Sequence, residues 1–105
     1  MNAVNILVDV HGTRSSRLIL TNDQNTLYRL YINDDLLTER SWIWKNTSYI
    51  KENIWVFPAA TNILTIEPVL QNTDQSIFKL NNFTVVDQPF ISEQINEHTI
   101  SFTLQ

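Results

Sequence analysis

Cysteine is absent from the chain, and glycine occurs only once, as Gly12. Without thiols there can be no disulfide framework, no Cys-ligated zinc and no cysteine nucleophile. A single glycine cannot build a phosphate-cradling Gly-rich loop. No apolar run approaches the ~20 residues that a membrane-spanning helix needs. A basic cluster is also missing. Arg14, Arg17, Arg29, Arg40, Lys45, Lys51 and Lys79 are scattered, and the formal net charge is -4. Nucleic-acid binders usually show a basic stripe, so neither a nucleic acid nor a membrane is an expected partner. The opening MNAVNILVDV has no basic segment leading into a long apolar run. Synthesis in the cytoplasm without a signal peptide is therefore expected.

What the chain does have is apolar alternation with a period of two. Val4, Ile6, Val8 and Val10 alternate with Asn5, Leu7 and Asp9, and His98, Ile100, Phe102 and Leu104 alternate with Thr99, Ser101 and Thr103. Each pattern predicts a strand with one buried and one wetter face. Further strands are predicted over 17–21, 26–32, 36–44, 49–57, 62–67 and 76–86. Turns are expected at Asn22-Asp23-Gln24-Asn25, at Asn33-Asp34-Asp35 and at Pro58-Ala59-Ala60-Thr61. Asn and Asp take the place of glycine there, because they tolerate left-handed φ better than other residues. The one stretch with helical spacing is Ser92 to Glu97, where Ile91 and Ile95 stand four apart. A chain of 105 residues is ordinary for one domain and short for two. Strands recurring about every ten residues predict a single all-β domain, an antiparallel β-sandwich of jelly-roll or related Greek-key topology with about eight strands. The expected core is Val4, Ile6, Val8, Leu18, Leu20, Leu30, Ile32, Ile54, Val56, Leu64, Ile66, Phe83, Val85, Ile100 and Phe102.

Groups that suggest catalysis have simpler explanations. Asp9, His11, Ser15 and Ser16 lie close together in DVHGTRSS, but no nucleophile elbow or oxyanion loop accompanies them. A strand end entering a polar turn accounts for them. Two histidines, His11 and His98, are too few to hold zinc alone. Asp34 and Asp35 read as turn formers rather than calcium ligands. Glu39, Glu52, Glu67, Glu93 and Glu97 are dispersed and expected on wet strand faces. No catalytic residue, metal or cofactor is expected, and the chain reads as a binding protein rather than an enzyme.

The aromatic residues are more informative. In RSWIW, alternation puts Arg40, Trp42 and Trp44 on one strand face. In YIKENIWVF, Tyr49, Trp55 and Phe57 share a face opposite Ile50, Ile54 and Val56. One apolar face belongs to the core, and the other needs a cover. Three arrangements fit: the indoles pack inside the domain, they meet another protein, or they stack on a ligand ring. The candidate binding residues are Arg40, Trp42, Trp44, Tyr49 and Trp55.

From Leu27 to Asp87 the chain resembles the central part of galactose-binding-like jelly-roll sandwiches, which include many carbohydrate-binding modules. Leu30-Tyr31-Ile32-Asn33-Asp34 resembles their strand ending in an Asn-containing turn, and Trp42 to Trp44 their tryptophan loop. Ala60-Thr61-Asn62-Ile63-Leu64-Thr65-Ile66 resembles their Gly-x-Asn-x-hydrophobic turn, with Ala60 in the glycine's place, and Phe78 to Val86 their following strand. The resemblance implies the fold and, as one function, an aromatic platform for a sugar. A compact, Cys-free, Asn-rich β domain is also similar in style to small virion proteins of tailed phages, which decorate capsids or sit on necks and tails. The expected function is thus non-enzymatic. The chain would bind protein subunits, as a homo-oligomer or within a larger assembly such as a virion, with glycan binding as the alternative.

Overall fold

The alternation in VNILVDVHG sends Val4, Ile6, Val8 and Val10 to one side, where all four are buried. Their β-branched side chains suit a pleated backbone. The computed structural model describes residues 2–12, 26–42, 49–69 and 78–105. These form eight strands: β1 (Val4–Gly12), β2 (Thr26–Ile32), β3 (Asp35–Trp42), β4 (Tyr49–Val56), β5 (Thr61–Val69), β6 (Phe78–Val85), β7 (Phe90–Asn96) and β8 (Thr99–Leu104). They pair antiparallel in a three-stranded sheet, β4-β1-β6, and a five-stranded sheet, β3-β2-β5-β8-β7. The predicted all-β antiparallel sandwich is therefore the fold. Among the described strands only β2–β3 and β7–β8 form hairpins. The other consecutive described strands lie in different sheets, as in Greek-key and jelly-roll sandwiches.

The core lies between the inner faces. Val4, Ile6, Val8 and Val10 of β1, with Val56, Phe78, Leu80 and Val85, meet Tyr28, Leu30, Ile32, Trp42, Leu64, Ile66, Ile100 and Phe102 of the larger sheet. Most of the predicted core is in this cluster. Ile54 and Phe83 are only partly buried and pack against it, while Leu18, Leu20 and the predicted turn at 22–25 lie outside the described residues. Val10, Tyr28, Trp42, Phe78 and Leu80 join the core beyond the predicted set. Tyr28 and Trp42 both set their rings edge-on against Phe78, with centroids 5.4 and 5.5 Å apart.

Asparagine and aspartate shape the backbone where glycine is lacking. Asn33 and Asp34 have φ of 51° and 71° between the paired residues Ile32 and Asp35, as a two-residue type I′ hairpin requires. Asn33 then locks this turn to the next one. Its Oδ1 accepts from Ile63 N at 2.9 Å, and its Nδ2 donates to Asn62 Oδ1 at 3.0 Å. Asn62 is fully buried and closes the 59–62 turn, accepting from Ala59 N at 2.8 Å and donating to Ala59 O at 3.0 Å. Asn33 and Asn62 thus satisfy backbone groups of two adjacent turns that strand pairing does not reach.

The helical spacing at Ser92 to Glu97 is overturned. These residues belong to β7 and its turn, with Ile91 and Ile95 both exposed. Pairing with β8 satisfies the backbone there, and a single helical turn has nothing comparable to offset its nucleation cost. A spacing of four also fits the period of two, so Ile91 and Ile95 suit a strand equally well, and an extra residue lies on β7 between Gln94 and Asn96. Comparable extra residues lie on β3, opposite Leu30 and Tyr31, and on β6, opposite Leu7 to Asp9. The bulge on β6 holds Asn82 at φ 53°.

The two long sides of the sandwich close differently. On one, β6 reaches the β7–β8 turn: Leu80 N donates to Glu97 O at 2.8 Å, Gln94 Nε2 donates to Leu80 O at 3.1 Å, and Lys79 pairs with Glu97 at 3.2 Å. On the other, β3 and β4 are joined by an ion pair, described next.

Candidate binding surface

Of the candidate binding residues, Trp42 is placed inside the domain. It is 1% exposed, so its expected place on a contact surface is corrected. As the last residue of β3 it points inward toward Phe78 and fills the end of the core. Trp44 lies outside the described residues. Arg40 shares the inward side of β3 with Trp42, and its role follows from one carboxylate. Glu52 of β4 also points inward and is 1% exposed, contrary to its expected place on a wet face. Arg40 Nη2 donates to Glu52 Oε2 at 3.0 Å, and Arg40 Nε bonds Glu52 Oε1. Tyr28 OH donates to the same Oε1 at 2.8 Å. A buried carboxylate needs such partners, and the two-pronged guanidinium geometry is the one arginine offers best. The hydrogen bond to Glu52 strengthens Arg40's hold on its proton. Burial first, then the hydrogen bond and charge of Glu52, raise the Tyr28 phenol far above its ordinary value. Arg40 is thus committed to closing the β3–β4 side, with its outer part still half exposed.

Tyr49 and Trp55 lie on the opposite face of β4. Alternation that sends Ile50, Glu52, Ile54 and Val56 inward leaves Tyr49, Lys51, Asn53 and Trp55 facing out. Trp55 is 69% exposed and Tyr49 46%. Phe57 follows at the same parity, just before Pro58, and is 77% exposed. A residue before proline is held in extended backbone.

Register with β1 sets the rest of this surface, opposing Asn5 to Trp55, Leu7 to Asn53, Asp9 to Lys51 and His11 to Tyr49. His11 stacks on Tyr49, ring centroids 5.2 Å apart and planes 25° from parallel. Asn5 Nδ2 bonds Asn53 Oδ1 and donates to Ile54 O at 3.3 Å. Asp9 is buried even on this outer face, because Asn82 at the β6 bulge donates to its Oδ2 at 2.9 Å and Lys51 Nζ stands 3.4 Å from Oδ1. Beside the Trp55 indole opens a groove of about 300 Å³ lined by Ala3, Val4, Asn5, Val86, Asp87 and Gln88. The surface therefore has an aromatic end at Trp55 and Phe57, a stacked His11–Tyr49 end, and a polar middle in which Asp9 Oδ1 is buried with only the Lys51 ammonium beside it. His11, Asn5 and Asn53 were not among the predicted site residues. Their shared faces are legible from alternation, but their meeting depends on which strands pair.

The other groups considered for chemistry are dispersed. His11 lies on β1 and His98 in the β7–β8 turn, in different sheets. Among the described residues no three His, Asp or Glu side chains converge as a metal site would need. Glu39 pairs with Arg29 at 3.1 Å and Glu67 accepts from Tyr31 OH at 3.4 Å. Ser15 and Ser16 lie outside the described residues. No protein-family model, curated protein or solved structure matches the chain.

Proposed function

We propose that this chain is a non-enzymatic binding domain that docks onto other protein subunits through the outer face of its three-stranded sheet, centred on Trp55. The observation that carries this reading is the exposure of Trp55 on the outer face of β4 and of Phe57 just beyond its end at the same parity, at 69% and 77%. Large apolar rings grouped in water are the kind of patch that partners cover, and tryptophan is the residue most enriched among interface hot spots. The absence of catalysis is part of the proposal. Its support is that the two carboxylates buried among the described residues already have partners, Asp9 in Asn82 and Lys51, and Glu52 in Arg40 and Tyr28. An assembly of many copies, such as a virion, is the setting in which this surface would stay permanently covered.

Light scattering across a concentration range, with and without Trp55→Ala, tests this reading. Self-association or particle assembly lost in Trp55→Ala, with circular dichroism unchanged, supports it. Association equal in both proteins would sink it. The second reading, glycan binding, is favoured by one observation: the indole borders a groove with Asn5, Asp87 and Gln88 at its rim, and amides and carboxylates bind sugar hydroxyls. It predicts quenching of Trp55 fluorescence by a glycan in a monomeric protein.

A further inference from the structure

We propose that the free edge of β4 pairs antiparallel with β4 of a second copy, joining two three-stranded sheets about a two-fold axis at Asn53. The inference deepens the protein-binding reading and rests on it, by naming the partner as a second copy of this chain. Its first ground is the contrast among edges. Among the described strands four lie at sheet edges, β3, β4, β6 and β7. On β3, β6 and β7 an extra residue interrupts the ladder, a device that twists an edge away from intermolecular pairing. β4 has none. It runs in unbroken register with β1 from Tyr49 to Val56, contains no proline, and has no paired strand on its outer side among the described residues, where only the Arg40 side chain reaches across to Glu52.

The second ground is self-complementarity. In an antiparallel two-fold pair centred on Asn53, Tyr49 faces Phe57 of the second copy, Lys51 faces Trp55, and Asn53 faces itself. Residue pairs directly opposite on one face are the units that stabilise a sheet. Here they are ring on ring, cation over indole, and amide on amide. On the inner face Ile50 meets Val56. Sliding the centre to Glu52 would instead set two buried carboxylates against each other, and sliding it to Lys51 would oppose two ammonium groups, whereas the axis at Asn53 opposes no like charges. The pairing would set the exposed rings of Tyr49, Trp55 and Phe57 against cross-strand neighbours of the second copy, on the outer face of one continuous sheet.

The register makes a test possible. Trp55→Lys and Trp55→Glu both remove the indole at an exposed position. Only the lysine would face Lys51 of the second copy with like charge, and it would do so twice. Dimer dissociation followed by light scattering should be weaker-binding for Trp55→Lys than for Trp55→Glu by about tenfold. The chain has no cysteine, so Asn53→Cys offers one thiol on the axis. Opposed Cα atoms in antiparallel strands lie about 4.5–5.5 Å apart, within disulfide range, and mild oxidation should trap the dimer. Asn5→Cys, on the neighbouring inner strand, should stay monomeric on non-reducing gels. A wild type that stays monomeric at all concentrations, with no trapping of Asn53→Cys, overturns the proposal. So does a dimer indifferent to Asn53→Cys and to the charge at position 55, but that result leaves the protein-binding reading standing. Glycan-dependent quenching in a monomer removes the reading and the proposal together.

Discussion

Removing Arg40 tests the reasoning about the β3–β4 side most directly. Glu52 is 1% exposed, and its oxygens are held by Arg40 and Tyr28 alone among the described hydrogen bonds. Taking one partner from a buried ion pair strands a charge, typically at a cost of about 3–5 kcal/mol. The Arg40 side chain is 48% exposed, so water can enter the space it leaves and recover part of that loss. Arg40→Ala should then destabilise the domain by about 2–3 kcal/mol. With a urea dependence of about 1–1.5 kcal/mol per molar for a chain this small, the midpoint should fall by about 2 M with unchanged slope. Adding Glu52→Gln should recover part of the loss, since a neutral amide keeps the shape and needs no countercharge. A double-mutant cycle over Arg40 and Glu52 should report a coupling of about 1.5–3 kcal/mol. If Arg40→Ala shifts stability by less than about 0.5 kcal/mol, the carboxylate is hydrated and the pair does not hold the sheets together.

Three further outcomes follow from single residues. Trp42→Ala should cost about 3–5 kcal/mol by leaving a cavity beside Phe78, whereas Trp55→Ala should stay within about 0.5 kcal/mol in the isolated domain; chemical denaturation of both separates core from surface tryptophan. Because the Tyr28 phenol is raised when folded, the folded state holds that proton more tightly than the unfolded chain. The associated stability is complete below pH 10, the ordinary tyrosine value, and falls above it by about 1.4 kcal/mol per pH unit. Absorbance titration at alkaline pH should find one tyrosine ionising only with unfolding, and Tyr28→Phe should remove that late step. Asp34→Gly should raise the melting temperature by about 2–5 °C, since φ of 71° strains a residue with a Cβ and suits glycine at the second position of a type I′ turn; an unchanged or lower melting temperature counts against strain at Asp34.

The sequence by itself determined the class of fold. A period of two in VNILVDV and in the closing HTISFTL, β-branched residues within the runs and Asn-Asp pairs between them leave an antiparallel sandwich as the way to bury one face of each strand. It also determined which β4 side chains travel together, because Tyr49 and Trp55 share a parity opposite Ile54 and Val56 whatever β4 packs against. Tertiary structure decided which parity faces water. Trp42 and Trp55 are chemically identical and both lie on alternating strands, yet one fills the core and the other is exposed. The difference lies in what the partner sheet presents: Phe78 is there to receive Trp42, while nothing among the described residues covers the outer side of β4. Glu52 reads in isolation as a surface residue and is buried because Arg40 and Tyr28 of the other sheet supply its hydrogen bonds. The i,i+4 isoleucines of β7 suit a helical turn and a strand face alike, and pairing with β8 decided between them. Alternation is a local property of one strand. Burial, pairing and register are set between strands distant in sequence, and those contacts chose the inward face and left Trp55 outside.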